Sequence, residues 1–205
     1  MCELIDTIKA RDPAAPTTLE VILAYPGFHV LGFYRSANAL YRYNLKTLAR
    51  LVAHLGRFLT GIEIHPGARI GKNLFIDHGM GVVIGETAVI GNDVLLYHGV
   101  TLGGKGGEGK GVKRHPTIGD GAIIGAGAQV LGDITIGSRA RVGANAVVTF
   151  NVPDDAVVIG NPAHIIACKD CVQGAYGLPD HDVPDDLIQE IAKLREELAK
   201  MAKDR

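Results

Sequence analysis

From Ile64 onward an aliphatic residue returns at every sixth position. The series runs Ile64, Ile70, Ile76 and Val82, restarts two residues on as Ile84, Ile90, Leu96 and Leu102, and continues as Ile118, Ile124, Val130, Ile136, Val142 and Val148. The next position is often glycine (Gly71, Gly85, Gly91, Gly119, Gly125, Gly137, Gly143), and the fourth is small (Ala68, Ala88, Ala122, Ala128, Ala140, Ala146). A period of six matches neither the 3.6 of a helix nor the 2 of an open strand. It matches a solenoid in which each hexad supplies a short strand and a turn, with glycine where the backbone bends. One coil cannot bury its own apolar face, so stacked coils must carry the aliphatic residues inward as a continuous ladder.

The pattern changes on both sides of this region. Residues 1–60 read as helical: LARLVAHLGRFL sets Leu48, Leu51, Val52, Leu55, Phe58 and Leu59 at three- and four-residue steps, and a second amphipathic stretch covers Phe28 to Tyr43. The punctuated segment RDPAAP, residues 11–16, speaks against helix. The solenoid is expected over 61–163 with an inserted loop at 103–117, and a tail over 164–205. That tail ends in a predicted helix, with Pro184, Asp185 and Asp186 where it starts and Lys200, Lys203 and Arg205 where it ends, as the helix dipole favours. Leu187, Ile191, Leu194, Leu198 and Met201 form a short heptad seam, suited to a coiled coil between subunits or to packing on the solenoid.

Composition narrows the function. Lys plus Arg number 21 against 22 Asp plus Glu in 205 residues, which gives no electrostatic reason to expect nucleic acid or an anionic membrane. The start, MCELIDTIKARDPAAP, is not a secretory leader, and no run of eighteen apolar residues occurs, so a cytoplasmic enzyme with a small-molecule substrate is expected. Cys2, Cys168 and Cys171 are too few for a disulfide framework, and the single CxxC lacks the second pair that structural zinc would need.

Chemistry is expected where the repeat is interrupted, because a regular coil needs nothing more to fold. One interruption is the DHG after Ile76 with the two-residue slip to Ile84; another is EIHPGA at 63–68; the third is GGKGGEGKGVKRHP at 103–116. Within the last, GKGGEGK has the spacing of a phosphate loop, but Gly111 stands where Ser or Thr would hold magnesium, and no βαβ pattern surrounds it. It reads better as a flap whose anchored end carries Arg114 and His115. His29, His54, His98, His164 and His181 read as ordinary structural or exposed histidines, whereas His78 and His115 each sit at an interruption beside a charged residue. Glu63 lies fifteen residues before His78, near enough to one three-hexad coil to place a carboxylate where it could orient a general base.

EIHPGARIG, DHGMGVVIGETAVIG, TLGG, KRHPTIGDGAIIGAGAQVLG and GNPA, with RDPA and PGFHVLGFYR upstream, together resemble the serine O-acetyltransferase family of hexapeptide-repeat acyltransferases, in its short form. The resemblance covers residues 10–165. It implies a mainly β fold, a left-handed parallel β-helix with an N-terminal helical region, assembled as a homotrimer with active sites between neighbouring subunits. It also implies acetyl transfer from acetyl-CoA to the hydroxyl of L-serine, giving O-acetyl-L-serine for cysteine biosynthesis, with L-cysteine as a feedback inhibitor. Carried over by motif, His78 is the general base and Glu63 its orienting partner. Asp12 and Asp77 hold the serine ammonium, Arg114 pairs with its carboxylate and His115 helps to position it. The thioester arm of CoA runs along the backbone of Gly104, Ala126 and Ala144.

An imidazole titrating near 6.5 suits that reaction without a metal. Much of the family has Asp where Glu63 stands. The long N-terminal region that pairs two trimers is mostly missing, so a trimer is favoured over a dimer of trimers. The chain ends in KMAKDR rather than the Ile of members that bind the next enzyme of the pathway, so that complex is not expected. An acetyltransferase for a sugar or xenobiotic hydroxyl is the alternative on the same fold, opposed by Asp12 and Arg114, since a neutral acceptor needs no clamps for ammonium and carboxylate. A zinc carbonic anhydrase would require HxxxxH, which is absent, and a non-catalytic scaffold gives no reason for His78 and Arg114 at interruptions.

Overall fold

The computed structural model describes residues 2–12, 17–107, 109, 111–166 and 193. Apart from residue 193, the helix predicted at the C-terminus, with Cys168 and Cys171, lies outside the described residues. Four helices come first: α1 (Cys2–Arg11), α2 (Thr18–Ala24), α3 (Pro26–Arg42) and α4 (Lys46–Thr60). Local chemistry sets their ends. Thr17 and Glu20 form a reciprocal capping box at the start of α2, Pro26 opens α3, and α4 stops at Gly61, whose φ of 71° favours a residue without a Cβ.

The hexads then build three parallel sheets, each coil giving one strand to each. The first sheet stacks β1 (Glu63–Ile64), β4 (Val83–Ile84), β7 (Thr101–Gly103), β10 (Gln129–Leu131) and β13 (Val147–Val148). The second stacks β2 (Arg69–Ile70), β5 (Val89–Ile90), β8 (Thr117–Ile118) and β11 (Thr135–Ile136). The third stacks β3 (Phe75–Ile76), β6 (Leu95–Leu96), β9 (Ile123–Ile124), β12 (Arg141–Val142) and β14 (Val157–Ile159), with β15 (His164–Ile166) antiparallel at its end. Register puts Ile64, Ile84, Leu102, Val130 and Val148 in one column, and Ile76, Leu96, Ile124, Val142 and Val158 in another. Nearly all of these are fully buried, and each such side chain contributes about 2 kcal/mol of apolar burial.

The columns locate the irregularities. Val82 is buried but is not a ladder residue: its carbonyl accepts from Glu63 N–H as that of Val100 accepts from Val83, so it belongs to the corner column with Val100, Ala128 and Ala146. The slip is therefore a two-residue insertion in the corner between β3 and β4, which holds three residues of positive φ: His78 (56°), Gly79 (81°) and Gly81 (77°). The ladder also continues past Val148. Val152 pairs with Ile136 and Val158 with Val142, a shortened fifth coil that steps of six do not reach.

The helices pack on the first coil, and at the other end β15 lies against β14 in the third sheet. At Gly27 of α3 an added Cβ would lie 2.3 Å from the Ile76 carbonyl oxygen, so glycine lets the helix touch the first coil. Further along α3, Tyr34 OH donates to the Ala68 carbonyl at 2.8 Å and Asn38 Nδ2 to the Pro66 carbonyl at 2.7 Å. In α4, Ala49, Gly56 and Thr60 face inward, while Leu51 is 61% and Phe58 81% exposed, with Leu48, Leu55 and Leu59 beside them. Among the described residues, no helix is long and apolar enough to cross a membrane.

Candidate active site

The residues singled out by the sequence gather at two edges of the three-sided solenoid. At the edge between the third and first sheets, the widened corner carries Asp77 and His78. The αL backbone of His78, uncommon for a residue with a Cβ, turns its imidazole outward, 69% exposed, with Nε2 4.0 Å from Asp77 Oδ1. His98, one coil on, meets the ring edge to face with centroids 5.8 Å apart. Asp12 comes to the same edge from the end of α1, held by the hydroxyl of Tyr25, which donates to its Oδ2.

Burial pushes the Asp77 carboxyl above its ordinary range and the nearby Asp12 charge adds to this, while His78 and His98 oppose it. The Tyr25 phenol is raised as well, by burial first and then by Asp12. Two carboxylates brought together this way suit a cation. Ala126 and Ala144 lie further along the same edge: Gly99 N–H bonds Met80, Gly127 N–H bonds His98 and Asn145 N–H bonds Ala126, so a backbone track leads away from the His78 corner.

Arg114 and His115 occupy the edge between the first and second sheets, where the inserted loop returns to β8. Arg114 Nη2 lies 3.5 Å from Glu86 Oε2, and Tyr41 OH of α3 donates to Glu86 Oε1 at 3.0 Å. The Tyr41 bond holds the Glu86 carboxyl below its usual value against partial burial, with His65 and Arg114 adding. Burial keeps the His65 imidazole less basic than usual, and its Nδ1 accepts from Gly67 N–H at 3.0 Å. His115 is 8% exposed and packs over Gly85, where an added Cβ would sit 2.1 Å from the ring. Gly104 starts the loop at this edge, and Lys105 ties it to the fifth coil by donating to the Thr149 carbonyl at 2.8 Å. Glu63 faces outward from β1 between the two edges, and its Oε2 accepts from Arg57 Nη1 at 2.7 Å rather than lying against His78.

The structure thus brings Asp12, Asp77 and His78 together, and Arg114 together with His115, but sets the groups apart by one face of the solenoid. At 3.3–3.6 Å per residue, a six-residue side spans up to about 20 Å. Three residues at these edges, Tyr25, Glu86 and Thr87, escaped sequence reasoning, and His98, read there as an ordinary histidine, packs edge to face against His78. For His98 a signal existed, since it follows His78 by one coil plus the two-residue slip.

Known proteins resemble this chain in sequence and fold. The family model for the bacterial transferase hexapeptide (six repeats) matches residues 115–149. The chain is 52% identical over 195 residues to the serine acetyltransferase of Mycobacterium tuberculosis, covering 93% of this chain and 84% of that protein. Among solved structures, soybean serine acetyltransferase complexed with serine is 45% identical with a TM-score of 0.76, over 79% of this chain and 66% of that one. A serine acetyltransferase in complex with cysteine is 41% identical with a TM-score of 0.77, over 80% and 67%. The Brucella abortus serine acetyltransferase in complex with coenzyme A is 40% identical with a TM-score of 0.78, over 82% and 67%. The chain spans about two thirds of the length of those solved chains. With half of its residues shared across nearly its whole length, the chain belongs to the serine acetyltransferase family of hexapeptide-repeat acyltransferases.

Proposed function

We propose that the chain carries out the reaction of its family, moving acetyl from acetyl-CoA to the hydroxyl of L-serine, with His78 as general base in a site completed by a second copy. The observation that carries this reading is the division of charge between the two edges. Serine is a zwitterion, and Asp12 with Asp77 offers its ammonium a place while Arg114 offers one to its carboxylate. Because the halves lie on different edges of one chain, a neighbour would bring the other half, edge to edge, and a solenoid of three faces suits a closed ring of three. The run of exposed apolar residues on α4, Leu48, Leu51, Leu55, Phe58 and Leu59, supports assembly, since contiguous apolar surface marks contact with another chain.

In this reading His78 takes the serine hydroxyl proton as the oxygen attacks the thioester carbon, and returns it to the departing CoA sulfur. Glu63 is held by Arg57 in the structure, and orienting the base would require it to turn from that partner toward His78 when substrate binds. The CoA arm lies along the backbone of Ala126 and Ala144, with Gly104 from the neighbouring edge, and the chemistry calls for no metal. L-cysteine presents the same ammonium and carboxylate as serine and competes for the same clamps.

Thiol release from acetyl-CoA, assayed with L-serine and a panel of sugar and amino-alcohol acceptors, tests the reading. Release with L-serine alone, suppressed by cysteine, is expected; preference for a sugar would overturn it. His78→Ala should lower kcat by about 10²- to 10⁴-fold with little change in CoA affinity, and near-normal turnover would remove His78 from the role of base.

A further inference from the structure

Two histidines belong to the proposed site, and a reaction with one base needs only one of them to titrate. The surroundings of His115 are set by Thr87 in the 85–88 corner. Thr87 N–H donates to His115 Nδ1 at 3.1 Å, and Thr87 Oγ1 lies 2.9 Å from the same nitrogen. That oxygen also accepts from the backbone N–H of Arg114 at 3.0 Å and of His115 at 3.1 Å. A threonine hydroxyl has one proton and two lone pairs. With both lone pairs facing N–H donors, its proton is left for Nδ1. That nitrogen then receives two donors and has no room for a proton of its own, so the neutral ring carries its hydrogen on Nε2.

We propose that Thr87 is a positioning residue that holds His115 as a fixed Nε2–H donor, leaving the role of base to His78. Charging His115 would need a proton on Nδ1, which breaks the bonds from Thr87 N–H and O–H and turns the hydroxyl away from two backbone donors. The charged groups around the ring pull in both directions. Glu86 in the same corner favours an imidazolium. Arg114, any charge on His65 of the first coil, and Lys113, whose Nζ donates to the His115 carbonyl at 2.5 Å, oppose it. Asp133, 3.3 Å from Lys113 Nζ, offsets part of that last charge. Among the described residues these pulls run both ways, and the donated bonds from Thr87 set the tautomer. A donor fixed in advance is what a developing negative charge on oxygen requires; this part rests on the reading that His115 faces the substrate.

The test is the imidazole ¹⁵N spectrum of the labelled full chain between about pH 5.5 and 8.5, where an unconstrained histidine titrates, with the His115 signals assigned from His115→Gln. Wild type and Thr87→Ser should show a neutral Nε2–H ring throughout. In Thr87→Val, which keeps the backbone N–H but loses the hydroxyl, His115 should begin to titrate, its pKa rising by about one unit or more. The acid limb of kcat/KM for serine should gain a second ionisation in that variant and keep one in wild type and Thr87→Ser. A wild-type His115 that titrates near pH 6.5, or a ring protonated on Nδ1, overturns the proposal, as does an unchanged spectrum in Thr87→Val. Should the valine variant not fold, the wild-type tautomer and the serine variant still decide. If His115→Gln leaves serine kinetics untouched while the ring stays fixed in wild type, substrate contact by His115 falls and the hold of Thr87 on the ring stands.

Discussion

Glu86 uses both carboxylate oxygens, one toward Tyr41 and one toward Arg114. Its carboxyl is held below the ordinary value of 4.5, first by the Tyr41 hydrogen bond. A lowered carboxyl contributes stability that is full above the unfolded pKa and is lost as pH falls through the folded one. Tyr41→Phe should let Glu86 titrate at higher pH, seen in the carboxyl ¹³C shift, and the wild-type advantage in stability should shrink toward zero in acid. An unmoved Glu86 titration would show that Tyr41 does not control it. Why Glu86 and Thr87 stay hidden in the sequence is a matter of distance along the chain. They meet Arg114 and His115 across 27 and 28 residues, one coil plus the inserted loop, and a loop of arbitrary length erases the six-residue count that would have aligned them. His78 and Asp77 are legible because they interrupt the repeat locally.

The elements divide in the same way. Strands and coils follow from the hexads, because each aliphatic position has one place to go. Val82 is assigned to the wrong column by counting alone, since an insertion shifts the phase without changing the residue type, and the shortened fifth coil is missed for the converse reason. In α4 the periodicity announces an amphipathic helix, yet a pattern cannot say whether the apolar stripe meets its own chain or another. The inward face turns out to be Ala49, Gly56 and Thr60, small enough for α3 to come close: a Cβ on Gly56 would lie 2.8 Å from Phe33 Cβ. Phe58→Glu on the outer face should leave the helical circular dichroism intact while light scattering shows the mass falling from three subunits to one, with loss of turnover. A wild-type mass of one or six subunits would contradict the proposed trimer.

For the whole molecule, the arrangement separates what one chain can do from what an assembly can do. A single chain stacks its own ladder from Ile64 to Val158 between the helices and β15. Turnover needs a neighbour, if Asp12, Asp77 and His78 on one edge work with Arg114 and His115 on another. The sequence allows the residue set to be recognised but not this separation, because distance around a coil is invisible until the strands are placed. The two edges therefore make catalysis a property of junctions, and junctions can be repaired by mixing. Chains bearing His78→Ala and chains bearing Arg114→Ala, each inactive as a pure population, should regain turnover when unfolded and refolded together. Every mixed ring of three then contains a single junction with both halves intact, so activity should plateau near one quarter of wild type at equal mixing, allowing for about one ring in four that is unmixed.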